Sequence, residues 1–268
     1  MKFFKIVIKR FVNMTNLLLK SFGLKMFIYR SNKVHNPVVY DQYIWEPYYE
    51  KFREMDRYEE AMNATFSNKY DNPYKQLRFY SLQNIFKNIL NNKVEGYVAE
   101  CGVWKGHSAF ILCKMLEETK SSKKFYIFDS FEGGLSDKSA KDKNNRYELK
   151  KEQIRAEKMS FASDENQVKN SLSVFTNIYY FKGWIPERFN EVKNNNFCFV
   201  HIDVDLYQPT LDSLIFFYPR LTKGGAIVID DYAISQFPGS RKAVDDFLIS
   251  NNCSFFYKVP FGSCFIIK

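Results

Sequence analysis

From Gly96 onward the chain alternates short apolar runs with amphipathic stretches. The runs occupy residues 97–101, 125–128, 178–181, 197–202, 226–229, 254–259 and 263–267. Each is too short for a helix and rich in β-branched or aromatic side chains, so each predicts a strand. Between most of them, residues 108–118, 163–173, 209–218 and 240–249 place apolar side chains at helical spacing. Ser163, followed by Asp164 and Glu165, offers an oxygen cap and acids for a first helical turn. Strands alternating with helices imply a parallel sheet with crossover helices. Only Pro260-Phe261-Gly262 separates the last two runs, which predicts a terminal antiparallel hairpin. The expected fold is therefore α/β and Rossmann-like: a mostly parallel sheet closed by a C-terminal hairpin, with an N-terminal helical extension. Upstream, helical spacing spans about 77–90, whereas 41–75 is aromatic and charged, with Pro47 and Pro73 as breaks. Three regions result: an arm (1–40), a helical lid or acceptor-side segment (41–92) and the sheet domain (93–268).

The charge distribution changes the picture at one end only. The chain has 268 residues and a net charge of +9, from 39 basic and 30 acidic residues. No acid precedes Asp41, while Lys2, Lys5, Lys9, Arg10, Lys20, Lys25, Arg30 and Lys33 all do. The excess thus belongs to the arm, and the body is close to neutral, unlike a nucleic-acid binder with basic residues spread over its folded part. Lysines interleaved with Phe4, Ile8, Phe11, Leu18 and Phe22 fit two placements. One is a helix packed on the domain or on a partner subunit. The other is a peripheral helix on a membrane surface. Lys20 interrupts the apolar stretch, so neither a secretory signal nor a spanning helix is expected. Five cysteines without a C-x-x-C pair suggest buried free thiols and a cytoplasmic setting, and the membrane-surface placement of the arm would put the chain at the inner membrane face.

Candidate chemistry sits where the predicted strands end. The first strand runs into Glu100-Cys101-Gly102-Val103-Trp104-Lys105-Gly106-His107-Ser108. Its glycines would let a bulky ligand approach the backbone, and the next helix offers free N–H groups. The spacing is not that of a dinucleotide fingerprint, and the acidic opening suits an amine-bearing ligand. The second strand ends at Asp129-Ser130, where an acid commonly grips ribose hydroxyls. The fourth ends in His201-Ile202-Asp203-Val204-Asp205, and the fifth in Ile229-Asp230-Asp231. Adjacent parallel strands deliver these four carboxylates to one edge, with Asp203 and Asp205 on one face of an extended chain. Their repulsion would raise at least one pKa unless a hard divalent cation intervened.

Taken together, Glu100-Cys101-Gly102-Val103-Trp104, Asp129-Ser130-Phe131-Glu132-Gly133, Gly183-Trp184, Asp203-Val204-Asp205-Leu206-Tyr207 and the stretches 225–232 and 240–247 resemble the macrocin O-methyltransferase (TylF-like) family over about residues 75–250. The resemblance implies a class I methyltransferase that uses S-adenosyl-L-methionine and Mg2+ to methylate a hydroxyl of a sugar or glycoside, in cell-surface glycan or secondary-metabolite biosynthesis. It implies Asp203, Asp230 and Asp231 as metal ligands and Asp205 as general base. Glu100, Gly102, Gly106, Ser108, Asp129, Ser130 and Trp184 fall on cofactor motifs. Gly134-Leu135, Gln208-Pro209-Thr210 and His107 depart from the family pattern, and the basic arm is not part of it. The expected partner is a small-molecule or glycan acceptor, not nucleic acid, and homo-oligomerisation stays open. Tyr43, Trp45, Tyr48 and Tyr49 fit either stacking on a sugar ring or an ordinary packing face.

Three other readings stand beside this one. A catechol-type O-methyltransferase would share fold, cofactor and metal. A non-catalytic binding module would keep only the fold. A base-methylating enzyme is suggested by Asn72-Pro73-Tyr74, which lacks the second proline of an N-P-P-Y motif and follows a polar stretch.

Overall fold

The computed structural model describes residues 14–15, 53–143, 151–259 and 262–268. Apart from the helical Met14 and Thr15, the basic arm lies outside the described residues, as do Tyr43, Trp45, Tyr48 and Tyr49. No helix among the described residues is long and apolar enough to cross a membrane.

Seven strands form one sheet in the order β3-β2-β1-β4-β5-β7-β6. They are β1 (Tyr97–Cys101), β2 (Phe125–Asp129), β3 (Ile178–Lys182), β4 (Phe197–Ile202), β5 (Leu221–Ile229), β6 (Phe255–Lys258) and β7 (Cys264–Ile267). The first five pair in parallel, and β7 runs antiparallel between β5 and β6. This is the α/β sheet with a closing hairpin that the apolar runs predict. All six residues of β4 are buried, which is why the strand reads as a continuous apolar run rather than an alternating one. The expected start of β5 at Ala226 is five residues late. Its pairing with β4 jumps from Phe197↔Leu221 to Phe199↔Ala226, so an irregular stretch containing Gly224 and Gly225 precedes the regular strand.

Helices cover both faces. On one, Val98, Phe199 and Val228 pack with α1 (Arg53–Ala64), α2 (Pro73–Asn91), α3 (His107–Glu118) and α5 (Glu165–Ser171). On the other, Ala99, Val200, Ile202 and Ile227 meet α6 (Tyr207–Arg220) and α7 (Pro238–Ser250). Helix α4 (Lys151–Ser160) lies in the segment between β2 and β3. The buried stripe of α2, Phe79, Leu82, Phe86 and Ile89, is part of the domain's main core. Burying side chains of this size contributes roughly 1.5–3 kcal/mol each, so α2 is anchored to the sheet. Its first residues settle the Asn72-Pro73-Tyr74 question. Asn72 is the N-cap, its side chain accepting from Lys75 N at 2.9 Å, and Pro73 opens the helix. The tripeptide is a helix start and not a base-methylation motif.

Candidate active site at the carboxyl edge of the sheet

Three backbone bonds hold the ends of the central strands in step. Gly102 N donates to Phe128 O at 2.8 Å, Asp203 N to Cys101 O at 2.8 Å, and Asp230 N to Ile202 O at 2.9 Å. Gly102 has φ +79°, and a Cβ there would lie 2.0 Å from Asp203 O. Only glycine lets the β1 and β4 ends meet so closely. Gly106, at φ +87°, turns the chain into α3, whose first turn buries Ser108.

Asp129 fastens the loop after β1. Its Oδ2 accepts from Val103 N at 2.8 Å and Trp104 N at 3.2 Å, and its Oδ1 from Phe131 N at 2.8 Å and Ser163 Oγ at 3.0 Å. Four acceptor positions are thereby taken by the chain's own donors. Beside it opens a cavity lined by Gly102, Trp104, Asp129, Ser130, Leu135, Phe161, Trp184, Asp203, Asp205 and Pro209. The loop over one side is tied down through Asp142, whose Oδ1 accepts from Tyr207 N, in the first turn of α6, at 2.7 Å.

The four aspartates are brought together, though not as an extended strand would place them. The strand ends at Ile202, and Asp205 adopts φ +58°. That turn sends the Asp205 backbone N to Asp231 Oδ2 at 3.2 Å. Asp230 faces the opposite way: Ser263 Oγ donates to its Oδ1 at 2.9 Å, and the Arg78 guanidinium of α2 bonds its Oδ2. Burial, then Asp230, raises the Asp203 carboxyl to about 6. Burial, with Asp203 and its other neighbours, raises Asp205 and Asp231 well above the usual carboxylate range. Burial works against charge on Arg78, but the surrounding carboxylates outweigh it and raise its pKa.

His201 joins this cluster from within β4. It pairs in register with Glu100 across β1, and its Nδ1 lies 2.7 Å from Glu100 Oε1. Both side chains are buried. Among the described residues, Glu100 Oε2 and His201 Nε2 have no hydrogen-bond partner. One ligand atom from each of His201, Asp203 and Asp230 lies within 4.8 Å of the other two, a group that does not include Asp231. Burial alone would lower the imidazole pKa, but the hydrogen bond and charge of Glu100, with Asp230 and Asp203, raise it to about 9.

The expected residues thus divide. Gly102, Asp129, Ser130, Trp184, Asp203 and Asp205 line the cavity; Glu100, Ser108, Asp230 and Asp231 are buried behind it, and Gly106 shapes the turn. Sequence reasoning missed Arg78, His201 and Ser263, and it read Ser163 as a helix cap, whereas Asp164 caps α5 and Ser163 bonds Asp129. His201 carried a signal, since it stands two residues before Asp203 and so shares its face of the strand.

These shifts fix a sign for stability. Asp203 titrates near 6 in the folded protein and near 4 when unfolded, so the folded state holds more protons between those values and stability falls as pH rises through them. His201 contributes stability that is complete below about 6.5 and lost as pH rises through about 9. The melting temperature of metal-free protein is expected to fall from pH 5 to pH 9 in thermal scans with chelator. A divalent cation should remove the carboxylate part of that fall; a flat or rising metal-free profile would contradict it.

Comparison with known proteins matches this architecture. The profile of the family described as Macrocin-O-methyltransferase (TylF) matches residues 29–254. The chain is 29% identical over 181 residues to the 8-demethyl-8-(2,3-dimethoxy-alpha-L-rhamnosyl)-tetracenomycin-C 4'-O-methyltransferase of Streptomyces olivaceus, covering 63% of this chain and 64% of that protein. It is 22% identical over 181 residues to the demethyldecarbamoylnovobiocin O-methyltransferase of Streptomyces niveus, with the same coverage of 63% and 64%. The match therefore spans a little under two thirds of the length of these two relatives. Among solved structures, the O-methyltransferase NovP superposes with a TM-score of 0.60 at 20% identity, covering 70% of this chain and 78% of that one, and shares the fold. With the family profile matching most of its length, from the last residues of the basic arm to the start of the closing hairpin, the chain belongs to the macrocin-O-methyltransferase (TylF) family.

Proposed function

We propose that this protein is an S-adenosyl-L-methionine- and divalent-metal-dependent O-methyltransferase acting on a hydroxyl of a sugar or glycoside. The observation that carries the reading is that Asp203 and Asp205 line a cavity whose other wall includes Gly102, Trp104, Asp129 and Ser130, with Asp230 grouped beside Asp203 behind it. The names of the two relatives, one a methyltransferase of a rhamnosyl tetracenomycin, support a glycosidic acceptor.

The residues present fit a cation. The Asp205 and Asp231 carboxyls, both buried, and the half-buried Asp203 all have raised pKa values, and the His201 imidazole stands beside Asp203 and Asp230. Asp203 and Asp230 would hold the ion, with Mg2+ and an Asp231 contact as the family resemblance implies. When bound, the ion supplies Lewis acidity that lowers the pKa of a coordinated hydroxyl, and S-adenosylmethionine supplies an electrophilic methyl carbon. The chain's own residues do the rest. Asp205 lines the cavity and is placed to take the hydroxyl proton, its raised pKa bringing it nearer that of an activated alcohol. Trp104, Phe161 and Trp184 give the cavity apolar walls that exclude water and align acceptor with donor. Glu100, which the resemblance places on a cofactor motif, is buried behind the cavity with its Oε1 on His201 Nδ1.

Calorimetry with S-adenosylhomocysteine tests the cofactor. Asp129→Ala deletes an anchor that accepts four hydrogen bonds, each worth about 0.5–1.5 kcal/mol net. It is expected to weaken binding by roughly tenfold or more by releasing the loop. Binding of NAD in place of S-adenosylhomocysteine would overturn the reading.

A further inference from the structure

We propose that Lys75 selects the acceptor of this site: its ammonium, with that of Lys105 beside it, receives an oxyanion, phosphate or carboxylate, carried by the sugar. The proposal rests on the reading above and narrows its acceptor from any sugar hydroxyl to one on an acidic sugar.

Three observations carry it. First, Lys75 is buried without a partner. It is 8% exposed, and among the described residues its ammonium meets only rings, 5.4 Å from the centroid of Phe79 and 5.5 Å from that of Trp104. Arg78 stands one turn further along the same face of α2, but its guanidinium is committed to Asp230. Lysine is seldom fully buried unless paired, because an ammonium that gives up water needs replacement acceptors. Burial accordingly lowers the Lys75 pKa to about 8, with Asp203 acting against the fall and Arg78 adding to it. An oxyanion seated on the ammonium supplies the missing acceptor.

Second, the ammonium stands at the cavity. Trp104 and Asp203 both line it, and Asp203 is the carboxylate that acts on Lys75 most strongly. Trp104 is held in place with φ +46°, a left-handed conformation that is costly for a bulky residue. Its ring packs edge-on against Tyr70, and the half-buried Lys105 ammonium lies 5.4 Å from the Tyr70 centroid and 5.5 Å from that of Trp104. Two cations thus flank one ring of the cavity wall.

Third, the charges do not balance without an anion. With a divalent ion and the sulfonium cofactor bound, the ion, the sulfonium and Arg78 match Asp203, Asp205, Asp230 and Asp231, while Glu100 matches His201. Lys75 is then a surplus cation beside a site that excludes water, where unmatched charge is costly. A neutral sugar leaves it unmatched, and an acidic one does not.

Calorimetry on the full chain, saturated with S-adenosylhomocysteine and Mg2+, tests this with three probes: glucose 1-phosphate, glucuronate and the neutral methyl glucoside. One of the two acids is expected to bind about tenfold or more tightly than methyl glucoside, the size of a charge-assisted hydrogen bond. Which acid binds identifies phosphate or carboxylate as the source of the oxyanion. Lys75→Met should remove the preference and Lys75→Arg should keep most of it, with S-adenosylhomocysteine affinity near wild type showing that both variants fold. Lys105→Met should lower the preference about two- to fivefold, an effect that added salt erases. Three results would overturn the proposal. They are equal binding of acids and methyl glucoside, no binding of any probe at millimolar concentration, and a preference that survives Lys75→Met, as direct binding of the acid to the metal ion would produce. Failure of S-adenosylhomocysteine itself to bind would instead overturn the methyltransferase reading.

Discussion

Asp205→Asn is expected to lower turnover about 10²–10⁴-fold, the span of a positioned general base, while binding of S-adenosylhomocysteine and divalent metal stays within a few-fold of wild type. The separation follows from geometry. Asp205 faces the cavity but is not in the group formed by His201, Asp203 and Asp230. It meets Asp231 through its backbone N, which the substitution keeps. Asn is nearly isosteric and cannot take a proton. Asp203→Asn should instead lose metal binding and turnover together. Single-turnover methyl transfer and metal titration of the two variants check the pair. Unchanged turnover in Asp205→Asn would remove the base from this position, and full activity in chelator would remove the metal.

Arg78→Met is expected to cost about 3–5 kcal/mol of stability in metal-free protein, the usual penalty for stripping one partner from a buried ion pair. Arg78 reaches Asp230 from α2 with its side chain 17% exposed and that of Asp230 6% exposed. Methionine keeps much of the aliphatic stem but removes the guanidinium that bonds Asp230, leaving the carboxyls to the more weakly placed His201 and Lys75. Divalent metal should therefore stabilise the variant more than the wild type. Urea unfolding with and without Mn2+ measures both effects. A loss below about 1 kcal/mol would place the pair among those that contribute little.

The strands were legible because a sheet covered on both faces writes itself as apolar runs, and six of the seven were located within a residue or two. The exception was the start of β5, where Thr222, Lys223 and two glycines carry no strand signal. Helix α1 falls inside the segment 41–92 expected to be helical, but its bounds could not be read because its buried face is sparse, chiefly Tyr58, Ala61 and Met62 among charged neighbours. In the site, residues tied to a strand end could be read from order alone. Contacts between distant elements could not: Arg78 on Asp230, Ser263 on its other oxygen and Ser163 on Asp129 depend on packing that no local pattern encodes. The turn at Asp205 was missed for a related reason, since strict alternation assumes an extended chain and φ +58° is not one.

The place of β7 bears on how the protein can be made. It follows β6 in the chain yet enters the sheet between β5 and β6. Until β7 has left the ribosome, β6 has no partner in the sheet and the edge of β5 stands open, a surface that invites pairing with other chains. Ser263, which holds Asp230, arrives with the same segment. A nascent chain carrying every residue through β6 would thus have its four aspartates translated but the Asp230 carboxyl not yet held, so the site is completed at the close of synthesis of the sheet and not during it.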